Sequence, residues 1–572
     1  MGEEALERTD CRAKILSQDY RDFLIPGYRE DVEVRLPEEK TCVQEGDFGL
    51  RVISADKEIV GELSFEAYGY PAIPKCYALL DMDALNETGI STVQNYPALQ
   101  LDGKGIMIGL VDTGIDYTSE IFRNPDGTTR IAGIWDQTLQ EGEPPQGFLY
   151  GSEYRQETIN AALALDFPET LVPTRDENSH GTFLASIAGG SRVNGERFSG
   201  AAPGCTFGVV KLKEAKDYLK EFYAIRPDAV CYQENDILLG LGYLNRLAGE
   251  YGVPLVLCLA LGTSFGGHNG SSILSRALQE YAGRIHRCVV IGGGNEAAQR
   301  HHYYGRFQEA GEVREAELRV EEGVGEFAAE LWTTLPNIVT AYLVSPSGEK
   351  SPTISLRQGS RYQFEFPFDG TRTEVEYRLL IENDSSQLIF FRFRSPAEGI
   401  WKIGVEALGV SEGEFHIWLP LQEFLEGEVY FLEADPNTTL TEPASTEAAI
   451  TAAFYDGEDK SVAIHSGRGY TRGGFIKPDL AAPGVEITGL GPGGKFVTRS
   501  GSSAAAGLTA GASALVMQWL EEQPMAIGVS TSVVAGLLIL GTDQGNLPEY
   551  PNREWGYGTL NVYRSLDRLR RL

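Results

Sequence analysis

The sequence predicts an α/β fold: a parallel sheet with helices on both faces, preceded by an α+β segment and interrupted by an all-β unit. Three observations carry this expectation. Between about residues 95 and 310, short apolar runs alternate with glycine turns and helical patterns. From about 311 to 430 the texture is strand and turn only, and from about 431 the strand–helix alternation returns. A β-only stretch between two α/β stretches reads as an insertion between two parts of one domain.

The elements follow in order. Residues 1–94 combine short alternating strands, such as Val32-Glu33-Val34-Arg35-Leu36, with a helix expected over Tyr77 to Leu85. Ile106 to Val111, Phe207 to Leu212, Leu255 to Ala260 and Cys288 to Ile291 are short, mostly apolar strands. Apolar strands alternating with helices imply a parallel sheet buried on both faces. In such sheets ligands and catalytic groups gather at the carboxyl ends of the strands. In the 311–430 unit, runs such as Ile338 to Val344 and Leu388 to Phe393 are separated by turns, including Pro346-Ser347-Gly348. That spacing predicts a sandwich or jelly roll. The 431–572 stretch includes a long helical segment from about Ser503 to Leu520.

At 572 residues the chain exceeds a single core. Its 42% hydrophobic content is that of a globular protein. A formal charge of −32 argues against nucleic acid or an anionic membrane surface as partner. The first residues lack a basic start followed by an apolar run, so no Sec-type signal peptide is expected. No apolar run is long enough to span a bilayer. The seven cysteines, Cys11, Cys42, Cys76, Cys205, Cys231, Cys258 and Cys288, are odd in number and include no CxxC spacing. No disulfide framework is therefore expected, and a reducing compartment such as the cytoplasm is.

Three segments carry chemistry. In Val111-Asp112-Thr113-Gly114, a carboxylate at a strand end precedes a tight turn and can orient an imidazole. Alone, it is an ordinary turn residue. In Ser179-His180-Gly181-Thr182, a histidine opens an Ala/Gly-rich helix, where one ring nitrogen can face substrate and the other a carboxylate. In Gly501-Ser502-Ser503-Ala504, a serine sits where a glycine turn enters a small-residue helix; a simple N-cap explains it equally well. Their joint occurrence is another matter. Asp, His and Ser in this order, each at an element boundary of an α/β sheet, give the order of one version of the Ser-His-Asp constellation.

On these residues the chain resembles the subtilases, the subtilisin-like serine proteases. The resemblance extends to Gly200-Ala201-Ala202-Pro203-Gly204, Ala260-Leu261-Gly262, Gly292-Gly293-Gly294-Asn295, Lys477 to Gly484, and Gly556 to Asn561. It implies that Ser503 is the nucleophile, His180 the general base and Asp112 its orienting partner. It implies that Asn295 donates to the oxyanion, and that Ala260, Leu261 and Gly262 form the strand that binds substrate. No cofactor and no metal are implied. Two positions depart from the family pattern: Phe183 stands where a second histidine is usual, and Gly507 where proline is usual.

Further motifs resemble the clostridial germination proteases of the Csp type. They are Asp112 to Thr118, Ile134-Trp135-Asp136-Gln137-Thr138, His301-His302-Tyr303-Tyr304-Gly305 and Thr498 to Ser503. This resemblance implies a prodomain over 1–94, a catalytic domain split over 95–310 and 431–572, and an inserted jelly roll over 311–430. It also implies self-cleavage near Gln94, with the prodomain bound before and after the cut. The expected partner is a protein substrate, such as the zymogen of a spore cortex-lytic enzyme. The rival expectation is a pseudoprotease or signalling scaffold, since members of the Csp group have lost triad residues. Here Asp112, His180, Ser503 and Asn295 are all present. His301 and His302 raise a zinc site, but adjacent histidines diverge and no Cys or acidic cluster completes one.

Overall fold

The computed structural model describes residues 10–27, 37–80, 101–193, 198–354, 360–379, 385–523, 528–545 and 549–569. Its centre is an eight-stranded sheet. The strand order is Leu480–Val485, Ile450–Asp456, Arg287–Gly292, Leu255–Leu259, Met107–Asp112, Thr206–Lys211, Ile131–Asp136 and Ser152–Arg155. Neighbours run parallel throughout, except the edge strand Ser152–Arg155, which is antiparallel to Ile131–Asp136. The four expected apolar strands are all here, within a residue or so of their expected ends.

Burial on both faces follows from the two-residue alternation of side chains. Ile108, Leu110, Val256, Cys258 and Val290 enter one core, while Met107, Val111, Leu255, Leu257, Val289 and Ile291 enter the other. The first face is covered by the helices His180–Gly189, Ser502–Glu521, Thr531–Gly541 and Val562–Leu569. The second is covered by Glu234–Tyr251 and Ile273–Ala282. Helices His180–Gly189 and Ser502–Glu521 approach closely because small residues face each other. A Cβ on Gly507 would lie 2.8 Å from Ile187 Cγ1, and one on Gly511 would lie 2.5 Å from the Ala188 carbonyl. That explains Gly507. Phe183 packs with Ile187, Ile487 and Ala504, beneath the guanidinium of Arg499.

Between these two parts of the chain lie two antiparallel sheets. One has six strands, in the order His302–Arg306, Glu414–Trp418, Glu326–Thr334, Ser386–Arg394, Thr371–Leu379 and Arg361–Phe366. The other has four, Ile338–Val344, Gly399–Gly409, Val313–Val320 and Val429–Phe431. Leu331, Phe391 and Ile417 of the first meet Leu318, Ile403 and Val405 of the second in one apolar core.

The N-terminal segment forms a three-stranded antiparallel sheet in which Arg51–Asp56 lies between Tyr20–Ile25 and Thr41–Glu45. The alternating run Val32 to Leu36 lies outside the described residues, as does Gln94. Two expectations need correction. Instead of a helix from Tyr77, the chain forms the strand Cys76–Leu79, which pairs antiparallel with Leu261–Gly262 on one side and Tyr232–Gln233 on the other. Its partners lie far away in sequence, so local propensity could not show the pairing. Further, Cys11 and Cys42 form a disulfide, while Cys76, Cys205, Cys231, Cys258 and Cys288 are free and buried. An odd count without close spacing carries no information about a pair separated by 31 residues.

Candidate active site

Asp112 ends a strand buried along its whole length, so its carboxylate is delivered to the carboxyl edge of the sheet. The Thr113 amide donates to Asp112 Oδ1 at 2.7 Å and fixes its rotamer. His180 is the first residue of the helix His180–Gly189, entered through Ser179 in the left-handed conformation (φ 68°). The helix can approach the strand end because residue 181 is glycine. A Cβ there would lie 2.2 Å from the Gly114 carbonyl oxygen and 3.1 Å from Asp112 Oδ1. His180 Nδ1 consequently lies 2.8 and 2.9 Å from the two Asp112 oxygens. With Nδ1 donating to a carboxylate, Nε2 is left as an acceptor.

Ser503 lies in the first turn of the helix Ser502–Glu521, behind Gly501 at φ 144°. Its Oγ is 2.9 Å from His180 Nε2. Asp112, His180 and Ser503 are each no more than 1% exposed, so their contacts are weakly screened. Asn295 follows the glycine run after the strand Arg287–Gly292. Its Oδ1 accepts from the Ser502 amide at 3.1 Å, which leaves the Nδ2 group as its donor beside the same helix start.

The N-terminal segment occupies this site. Leu79 pairs with Leu261 and Ala78 with Gly262, and the Leu80 amide donates to the Ala260 carbonyl at 3.2 Å. The Leu80 carbonyl oxygen then accepts from the Ser503 amide at 3.2 Å and lies 2.5 Å from Ser503 Oγ. The Leu80 side chain fills space left by two glycines. A Cβ on Gly262 would be 3.0 Å from Leu80 Cδ2, and one on Gly292 3.3 Å from Leu80 Cδ1. An extended peptide is thus paired as an added strand, with one carbonyl held between a hydroxyl and a helix-terminal amide. This arrangement can carry a nucleophilic attack on that carbonyl and hold the resulting oxyanion.

The structure brings together Asp112, His180, Ser503, Asn295, Ala260, Leu261 and Gly262. Sequence reasoning missed Leu80, whose role depends on a long-range strand pairing, and Asp176. The Asp176 carboxylate accepts from Thr113 Oγ1 (2.7 Å), the Ser179 amide (2.8 Å), and the Thr182 amide and hydroxyl (2.8 and 2.6 Å). It ties the turn after Asp112 to the start of the His180 helix. An acid just ahead of a helix start was the available signal.

Among the described residues, no group of three or more His, Cys, Asp and Glu could hold a metal ion. His301 Nδ1 is 2.7 Å from Glu296 Oε2, and His302 Nε2 is 2.9 Å from His416 Nδ1. No described helix is long and apolar enough to cross a membrane.

A buried Ser–His–Asp constellation at the carboxyl edge of a parallel α/β sheet defines a serine peptidase-type site. A family model described as the subtilase family matches residues 103–311 and 426–558, and the chain belongs to that family. It is similar to subtilisin-like protease SBT3.8 of Arabidopsis thaliana, with 30% identity over 148 residues, 24% of this chain and 18% of the relative. To SBT3.6 of the same plant it is 29% identical over 174 residues, 28% of this chain and 21% of the relative. The chain thus spans about a fifth of the length of these curated relatives. The solved structure of the Clostridium perfringens CspB protease superposes with a TM-score of 0.75 at 28% identity, covering 85% of this chain and 98% of that one.

Proposed function

We propose that the chain is a serine endopeptidase that first cleaves its own Leu80–Asp81 bond. The observation that carries the reading is the Leu80 carbonyl, whose oxygen accepts from the Ser503 amide at 3.2 Å while Ser503 Oγ stands beside it. Ser503 Oγ attacks the Leu80 carbonyl carbon as His180 Nε2 takes its proton; Asp112 stabilises the imidazolium through Nδ1. The Ser503 amide and Asn295 Nδ2 hold the oxyanion. His180 then returns the proton to the Asp81 nitrogen, the peptide bond breaks, and water releases the acyl group from Ser503.

On this reading residues up to Leu80 act as a prodomain, and the bond cut is Leu80–Asp81 rather than one near Gln94. The double antiparallel sheet is read as an inserted jelly roll. Later substrates are proteins cut at few sites that match Tyr77-Ala78-Leu79-Leu80, with a leucine-sized residue before the cut. The motifs that resemble the clostridial germination proteases extend the proposal to an activating cleavage within a spore, such as that of a cortex-lytic zymogen; the likeness to the CspB protease supports the protease part alone.

N-terminal sequencing and intact mass of the freshly folded protein test the reading. A new chain beginning at Asp81, absent in Ser503→Ala, is the expected result. A cut at Gln94, or an uncut chain that a fluorophosphonate fails to label, overturns it and favours the scaffold reading.

A further inference from the structure

Two buried thiols flank the path by which the N-terminal segment enters the active site. Cys76 opens the strand Cys76–Leu79, and Cys231 lies one residue before the strand Tyr232–Gln233 that pairs with it. The pairing is antiparallel, with Cys76 opposite Gln233 and Tyr77 opposite Tyr232. Side chains alternate between faces, so Cys231, two residues from Gln233, falls on the same face as Cys76 and diagonal to it. Of the groups around the Cys76 thiol, the Cys231 side chain acts on it most strongly. Both are fully buried, in one apolar core with Ile73, Phe222 and Tyr223.

The register that sets them together is held by the adjoining pair. The Lys75 amide donates to Glu234 Oε2 at 3.3 Å, Lys75 Nζ lies 3.4 Å from the same oxygen, and the Glu234 amide donates to the Lys75 carbonyl at 2.9 Å. The existing disulfide, Cys11–Cys42, lies wholly within the N-terminal segment and ties it to nothing else.

We propose that Cys76 and Cys231 form an oxidisable latch, which a low-molecular-weight disulfide converts to a cystine joining the N-terminal segment covalently to the rest of the chain. One cysteine thiolate attacks the small disulfide, forming a mixed disulfide and releasing one small thiolate. The second thiolate attacks the protein sulfur of the mixed disulfide and releases the other. Two protein S–H bonds and one small-molecule S–S bond break; one protein S–S bond forms, and the small disulfide leaves as two thiols carrying both protons. The protein sulfurs lose two electrons and the small disulfide gains them.

The Cys231 side chain, and then burial, push the Cys76 thiol well up, so thiolate is scarce once the strand is docked. The bond forms chiefly as the strand docks, and once formed it is shielded from reductant. Its use as a tether rests on the proposed cut at Leu80; its formation does not.

The test is to refold wild type and Ser503→Ala, as full chains, with oxidised glutathione, then alkylate in denaturant and map peptides without reduction. The expected result is a cross-linked Cys76–Cys231 peptide lighter by two hydrogens in both proteins and absent in Cys76→Ser. Processed wild type should then run as one band without reductant and as two with it. Recovery of both thiols alkylated, or of glutathione on either one without the cross-link, overturns the latch. A cross-link in an uncut wild type leaves the latch standing and removes the cleavage reading instead.

Discussion

The hydroxyl of Ser503 stands between an imidazole nitrogen at 2.9 Å and a peptide carbonyl oxygen at 2.5 Å, and each contact makes a separate demand. The nitrogen must be unprotonated and held in one tautomer. Asp112→Asn keeps the shape but lets the amide donate to Nδ1, which favours the wrong tautomer. The rate of self-cleavage should fall about 10,000-fold, read from the appearance of the Asp81 N-terminus over time. The carbonyl needs donors aimed at the charge it acquires. Asn295→Ala removes one and frees the Ser502 amide, so self-cleavage should slow about 100- to 1000-fold while the melting temperature of the uncut chain drops by only a few degrees. A comparable loss of stability would place Asn295 in the scaffold instead. Leu80 meets the glycine-lined space at Gly262 and Gly292, so Leu80→Asp should nearly abolish the cut by burying an unpaired charge.

At the scale of elements, catalysis depends on how the His180 helix is seated against the end of the strand Met107–Asp112. Gly181→Ala sets a methyl against the Gly114 backbone, and Asp176→Ala frees the Ser179 and Thr182 amides of the helix start. Losing such a cap costs about 1 kcal/mol. In Asp176→Ala the melting temperature should therefore drop by only a few degrees while self-cleavage slows more than that loss explains. The central strands and the Ser503 helix were legible because their burial on both faces writes itself as unbroken apolar runs. Asp112, His180 and Ser503 were legible from chain order and element boundaries. Leu80 was not, because the strand Cys76–Leu79 is specified by partners at Leu261 and Tyr232 rather than by its own four residues. The segment Tyr77 to Leu85 resembles a helix only when read alone. Cys11–Cys42 was hidden for the same reason.

Across the whole molecule, three bodies of chain share one core. Phe65, Tyr70 and Ile73 of the N-terminal segment pack with Leu219, Phe222 and Tyr223 beside the central sheet, and with Trp332, Leu388 and Phe390 of the double sheet. Buried Glu330 accepts from Tyr70 Oη and from the Gly266 amide, so it touches both neighbours. A second junction is built of rings. His268, His302 and His416 stack on the Trp418 indole, with centroids 4.1, 4.9 and 5.0 Å away. Burial pushes His302 down to about 4 and holds His268 and His416 below the usual histidine value. The folded state thus holds these rings neutral where the unfolded chain already takes up protons. Their contribution to stability is fully present above about pH 6.5 and is lost as pH falls toward about 4. Calorimetry between pH 7 and 4 (a range set by those two values) should show the melting temperature falling with acid, and falling less steeply in His302→Gln.

The Leu80 carbonyl at Ser503 also bears on how such a molecule could be made a second time. Before the cut, the strand Cys76–Leu79 finds its place as part of one connected chain, at a high effective concentration fixed by the linking residues. After it, with Cys76 and Cys231 held reduced, the same strand must find its place by diffusion. Cut protein unfolded in denaturant should then recover with a yield that falls on dilution, whereas Ser503→Ala should recover equally well at any concentration. The first turnover would make folding a one-way history: the cut molecule inherits a shape that it can no longer reach alone.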